Sequence, residues 1–320
     1  MRAPTPSPTN NSKRPLPGVP ADVGKARPVR GLWIRRVNTE RTWILRGGRA
    51  LRPAPFCLAG IVNVTPDSFS DGGQFLEPQQ AVEHGLGLLD DGACMLDLGA
   101  ESTRPFADPV PEAEECARLL PVMARLRERR PDAILSVDTL KAGTARAALE
   151  AGADIINDVS ACTADPALTD VLVAYKPGYV LMHSRGNPRE MQINPQYGDV
   201  VEDILSFFER HLARLVRAGL PEDRIVLDPG IGFGKNKDHT VAILKGMERF
   251  AALGRPLYVG LSRKSMFREL LGLDRVEQRA GATRLAVALL AARGVPYHRV
   301  HDVAGCAQAL RLVEAMTPSA

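Results

Sequence analysis

The chain has 320 residues, of which 45% are hydrophobic and 24% charged, and its formal net charge is +4. The excess is local: residues 1–30 hold Arg2, Lys13, Arg14, Lys25, Arg27 and Arg30 against Asp22, leaving 35 basic and 36 acidic residues in the rest. A near-neutral body gives no bulk case for nucleic-acid binding. No apolar run reaches the ~18–20 residues of a membrane span, so a soluble, cytoplasmic protein without a membrane partner is expected.

Residues 1–30 contain seven prolines and almost no large apolar side chains. Such a stretch buries too little surface to offset its ordering entropy and is expected to be a disordered tail; it has no apolar core of a secretory signal. Residues 31–55 follow as an extension. Within it Thr42–Arg46 and Arg49–Leu51 flank Gly47-Gly48, a hairpin signature placed to plug one end of a barrel.

From residue 56 to 316 short apolar runs alternate with helical patterns. The runs are Phe56–Val64, Ala93–Leu98, Ala133–Val137, Asp154–Val159, Gly178–Met182, Arg224–Leu227, Pro256–Leu261 and Tyr297–Val300. Continuous Ile/Val/Leu runs suit strands covered on both faces. Gly92 and Gly152 each stand between a helical pattern and the next run, where a glycine turns the chain by taking positive φ. Eight such units predict an α/β fold, a single (β/α)8 TIM barrel, with a doubly wound open sheet as the alternative. Five dispersed cysteines (Cys57, Cys94, Cys116, Cys162, Cys306) without a CxxC pair read as reduced thiols, with Cys57 and Cys94 as small buried hydrophobes.

In such a barrel the chemistry sits at the carboxyl ends of the strands. The runs end on Asn63, Asp97, Asp138, Asn157, His183, Asp228, Ser262 and His301, which predicts a polar cleft where all eight converge. Carboxylates at 138 and 228 and an amide at 157 match a ring edge carrying adjacent N–H and amino donors, as in a 2-amino-4-oxo pterin; each alone would read equally as a loop cap. Lys264 follows the seventh run. A cation there opposes the helix macrodipole, which points to function, whereas Ser265 is placed to N-cap the helix from Met266 and Arg263 reads equally as solvated or ion-paired. Arg299 and His301 are two apart and share a face, where paired cations suit an anion; the alternative is a satisfied histidine beside an ion-paired arginine. "NVTPDSFSDGG" (63–73) and "ESTRPFADPVP" (101–111) are breaker-rich and read as lids. "LDPGIGFGK" (227–235) lacks P-loop and dinucleotide spacing and reads as a turn bringing backbone to a ligand, with Phe233 for stacking.

Together "NVTPDSFSDGG", "ESTRP", "SVDT", "INDV", "LMHSRGNP", "LDPGIGFGK", "VGLSRKS" and "RVHDV" resemble the dihydropteroate synthases, over about Ile61 to Val303. The resemblance implies condensation of 6-hydroxymethyl-7,8-dihydropterin diphosphate with para-aminobenzoate, SN1-like, in folate biosynthesis, and makes the chain a sulfonamide target. It implies a pterin slot of Asp138, Asn157, Met182, Asp228, Gly260 and Lys264. It implies a pyrophosphate site of Asn63, Arg299 and His301, with Asn63 also meeting Mg²⁺. It implies an aminobenzoate site of Thr103, Arg104, Pro105, Phe233, Ser262 and Lys264. It implies that Asp138, Asp228, Lys264, Arg299 and His301 form the catalytic group, with Asp97 among the carboxylates favouring the pterin cation. A homodimer through late helices such as "GATRLAVALLAARG" is also expected. Ala100, Phe106 and Ser184-Arg185 depart from the family pattern. A methyltetrahydrofolate-type methyltransferase would share the pterin residues without needing "ESTRP" and "SRKS"; a non-catalytic paralogue would bind pterin without turnover.

Overall fold

The computed structural model describes Met1 and residues 42–64, 73–101, 109–186 and 195–317; all that follows concerns the compact unit from residue 35 onward. The expected basic tail, both lid tips, and Thr103, Arg104, Pro105 and Phe106 lie outside the described residues.

Eight parallel strands form the barrel wall: β3 (Cys57–Asn63), β4 (Met95–Gly99), β5 (Leu135–Asp138), β6 (Ile155–Asp158), β7 (Gly178–Met182), β8 (Ile225–Asp228), β9 (Tyr258–Gly260) and β10 (Tyr297–Val300). Their order is β8-β7-β6-β5-β4-β3-β10-β9. The two ends of that row meet through a parallel bridge between Leu227 and Leu257, with the Leu227 amide donating to the Pro256 carbonyl at 2.9 Å, so the sheet closes on itself rather than staying open. Each predicted run holds one strand, shifted by two residues or fewer at either end.

Local rules explain the units. Helix α5 (Val200–Ala218) starts at Asp199, whose carboxylate accepts from the Val201 and Glu202 amides, and stops at Gly219 with φ +113, a side-chain N-cap and a left-handed C-cap. Gly92 and Gly152 take φ +104 and +98, the positive values needed to turn from a helix into β4 and β6. One core lies between the strands and the outer helices; a second lies inside the barrel.

The inner core is closed from below. Strands β1 (Trp43–Ile44) and β2 (Ala50–Leu51) pair antiparallel, Trp43 opposite Leu51, and Trp43, Leu45 and Leu51 pack against Cys57, Met95, Ile155, Val226 and Tyr297. The Trp43 ring meets Tyr297 and Tyr258 edge-on at 5.3 and 6.3 Å, and its indole N–H donates to the Arg224 carbonyl at 2.7 Å. All five cysteines are free thiols. Cys57 is buried, as expected, but Cys94 is only half-buried. It still packs against the inner core, and a hydrogen bond from Cys57 brings its thiol down to about 7.

Truncating the plug tests this layer. Trp43→Ala is expected to cost about 3–5 kcal/mol, the range for a fully buried large aromatic, read as a lower urea midpoint by circular dichroism. A loss under ~1 kcal/mol would mean the hairpin does not hold the barrel floor.

Candidate active site

At the opposite end, period-2 alternation aims Asp97, Ser136, Asp138, Asn157 and Arg299 into the barrel. The Arg299 and Asn157 bonds skip a strand, whereas Ser136 reaches Asp97 on the neighbouring strand. The Arg299 Nε donates to Asp97 Oδ2 at 2.5 Å, across β3, and its Nη2 to Asp138 Oδ2 at 2.9 Å. The Asn157 amide donates to Asp97 Oδ2 at 3.0 Å across β5, and the Ser136 hydroxyl to Asp97 Oδ1 at 2.5 Å. Asp97 therefore differs from expectation. Strand β4 runs on to Gly99, so Asp97 lies below the rim, fully buried at 0% exposure, and its oxygens already accept three bonds.

Above it sit Asp138 and Asp228. Burial pushes the Asp138 carboxyl up to about 7, with Arg299 opposing and Asp97, Glu115 and Asp158 adding to the rise. Burial also raises Asp228, against the pull of Lys264 and of its hydrogen bond from the Gly230 amide, which is 2.7 Å long. Burial lowers Lys264 to about 8, with Asp228 resisting. The Lys264 Nζ donates to the Ile231 carbonyl and stands 4.7 Å from the centre of the Phe233 ring. An added Cβ on Gly260 would project to 3.8 Å from both the Lys264 Nζ and the Arg299 Cβ, so its bare backbone leaves room beside two cations. Met182 ends β7 beside Gly230.

Lys264 owes its placement to a strained neighbour. Arg263 holds φ +58, uncommon for a non-glycine residue. Its amide donates to the Thr283 hydroxyl at 3.2 Å and its carbonyl accepts from Arg279 at 3.1 Å, both on α9 (Arg279–Ala292). Ser265 precedes α8 (Met266–Leu271) but makes no side-chain cap, because its own φ −61, ψ −24 is already helical, not the extended conformation a cap needs.

The strand ends do not all converge. His301 Nδ1 lies 2.9 Å from the Ser262 hydroxyl, which also accepts from the His301 amide at 3.2 Å, while Arg299 reaches inward to its two aspartates. The two bases share a strand face yet serve different partners. Asn63 ends β3 half-buried, opposite Gly99. His183 leaves the group: its ring packs on Phe207 at 4.8 Å and its Nδ1 lies 2.9 Å from Lys235. Among the departures, Ala100 is buried and its carbonyl accepts from Arg118 at 2.9 Å; Arg185 stacks 4.6 Å over Tyr197. Sequence reasoning passed over Ser136, which its position two residues before Asp138 on the same face would have revealed, and Lys235, the last residue of "LDPGIGFGK".

The pterin-binding enzyme family matches residues 59–301. Escherichia coli dihydropteroate synthase is 41% identical over 256 residues, 80% of this chain and 90% of that protein; a Synechocystis dihydropteroate synthase is 38% identical over 257 residues, 80% and 89%. The Xanthomonas albilineans dihydropteroate synthase solved with 4-aminobenzoic acid superposes with a TM-score of 0.81 at 41% identity, covering 88% of this chain and 100% of that one; its complex with 7,8-dihydropteroate gives 0.76 at 40%, covering 85% and 98%. The chain belongs to the pterin-binding enzyme family and, within it, to the dihydropteroate synthases, transferases of folate biosynthesis.

Proposed function

We propose that Asp138, Asn157, Asp228 and Lys264 hold the pterin of 6-hydroxymethyl-7,8-dihydropterin diphosphate, with Met182 and Gly260 bounding its slot. The observation that carries this reading is the pair of buried carboxylates at 138 and 228, both pushed above the ordinary aspartate range. A buried carboxylate is held at a cost until donors meet it. A ring edge with N–H and amino groups supplies those donors.

Asn63, Arg299 and His301 take the diphosphate. The C–O bond to the methylene carbon breaks with its electron pair leaving on the diphosphate, and the dihydropterin spreads the remaining positive charge over its ring. Arg299 keeps its proton throughout: burial opposes its charge, but Asp97 and Asp138 outweigh burial and raise it. Asp97 acts on the cation only through space, since its oxygens are engaged. The nitrogen of para-aminobenzoate then forms the new C–N bond and gives up a proton. Phe233, Ser262 and Lys264 line the aminobenzoate side, with Thr103, Arg104 and Pro105 completing it from outside the described residues.

Mg²⁺ fits this site as an ion arriving on the diphosphate. Asn63 offers one neutral amide oxygen at the rim, and Mg²⁺ keeps waters and phosphate oxygens while taking one or two protein ligands. Among the described residues no group of three His, Cys, Asp or Glu side chains is arranged to hold a metal. When bound, the ion neutralises departing charge.

The protein works as a homodimer in the cytoplasm. Leu285 and Leu289 on α9, and Leu312 and Met316 on α10 (Val303–Met316), are exposed, and a partner would cover such apolar side chains on packed helices. Free thiols throughout suit a reducing compartment. No helix of the described residues is long and apolar enough to cross a membrane.

Pyrophosphate release is expected only when both pterin diphosphate and para-aminobenzoate are present. Turnover that para-aminobenzoate does not accelerate, or none at all, would refute the synthase reading. Lys264→Ala is expected to lower turnover by ~10²–10³-fold or more, the usual loss for one electrostatic stabiliser, with an unchanged circular dichroism spectrum; near-normal turnover removes Lys264 from the mechanism. Asp138 binds its proton more tightly folded than unfolded, so its contribution to stability is greatest below the unfolded value and is lost as pH rises toward about 7. Asp138→Asn should therefore raise Tm more at pH 8 than at pH 5, by roughly 2–4 °C per kcal/mol, while calorimetry shows weaker pterin binding. Equal Tm changes at both pH values would contradict the assignment.

A further inference from the structure

The loop after β8 and the chain after β7 lie back to back. An added Cβ on Gly230 (φ +64) would stand 1.9 Å from the His183 carbonyl oxygen, and one on Gly234 (φ +67) 2.5 Å from that of Arg185. Only glycine allows backbones this close. Between these points Lys235 turns inward, 4% exposed. Its Nζ donates to the His183 and Phe233 carbonyls at 3.1 and 2.9 Å and lies 2.9 Å from His183 Nδ1. The Tyr197 hydroxyl donates to the Gly234 carbonyl at 3.0 Å, and Phe207 packs edge-on against the His183 ring. Further along the same loop, Ile231 and Phe233 meet Lys264.

Folding alone does not call for a lysine here. An amino group buried without a carboxylate in hydrogen-bonding range is unfavourable, and an apolar side chain of similar length would fill the space. What the lysine adds is directional: three acceptors surround its Nζ, at a site where burial disfavours its charge. Burial and the neighbouring Lys235 bring His183 down to about 2, so its ring is neutral and Nδ1 is able to accept.

We propose that Lys235 is a positioning residue: with His183 it clasps the 229–235 loop so that the Phe233 ring sets the aminobenzoate side of the site, while Lys235 touches neither substrate. This rests on Phe233 facing para-aminobenzoate.

Wild-type pyrophosphate release that depends on both substrates is established first; its failure sinks the functional reading, not the clasp alone. Lys235→Met should then raise KM for para-aminobenzoate by about tenfold or more, as a displaced contact does, with KM and calorimetric affinity for pterin diphosphate within about threefold. His183→Asn keeps an acceptor near the Nδ1 position, so its aminobenzoate KM should be several-fold lower than that of His183→Leu. An unchanged aminobenzoate KM in Lys235→Met, or an equal rise for both substrates, overturns the proposal. If Lys235→Met does not fold, the His183 pair decides, and equal KM values in the two variants overturn it.

Discussion

The mouth of the barrel is organised around one buried ion pair, Arg299 with Asp97, at 2.5 Å. A carboxylate with no exposure survives only if its oxygens are engaged, and donors from β5, β6 and β10 converge on Asp97 to engage them. That requirement fixes the rotamers of Ser136, Asn157 and Arg299 together. It also leaves Arg299 oriented to reach Asp138 at 2.9 Å. Asn157 and Arg299, proposed to meet substrate, are thus oriented through Asp97, whose own oxygens are already engaged.

The two ends of the barrel divide stability from chemistry, as barrels of this kind do. At the floor, Trp43, Tyr258 and Tyr297 make edge-to-face contacts under an apolar hairpin. At the mouth, Asp138 and Asp228 are carboxylates whose charge burial disfavours. The polar mouth is thus the end where buried charge is left for a ligand's donors to meet, as proposed above.

A similar division appears beside Lys264. Arg263 carries backbone strain, and Thr283 and Arg279 of α9 hold it in place. The helix that presents exposed leucines on one side therefore steadies the lysine on the other. Across the site, Lys264 is met by a loop whose proposed anchor, Lys235, is buried against His183 just past β7.

Repeating apolar runs, turn glycines at 92 and 152, and the Gly47-Gly48 hairpin determined the barrel and its plug from sequence alone, because these depend on local conformation and two-residue periodicity. The ends of those runs placed Asp138, Asn157 and Asp228 at one end, and two-residue spacing set Arg299 on the same face as His301 there. Tertiary structure alone decided the partners. Arg299 meets Asp97 and Asp138 from 202 and 161 residues away because barrel closure brings β10 across from β4 and β5, a distance no local signal encodes. Closure also sent His183 to Lys235 instead of the mouth and sank Asp97 beneath the rim, since which residue of a strand stands at its edge depends on the register of its neighbours.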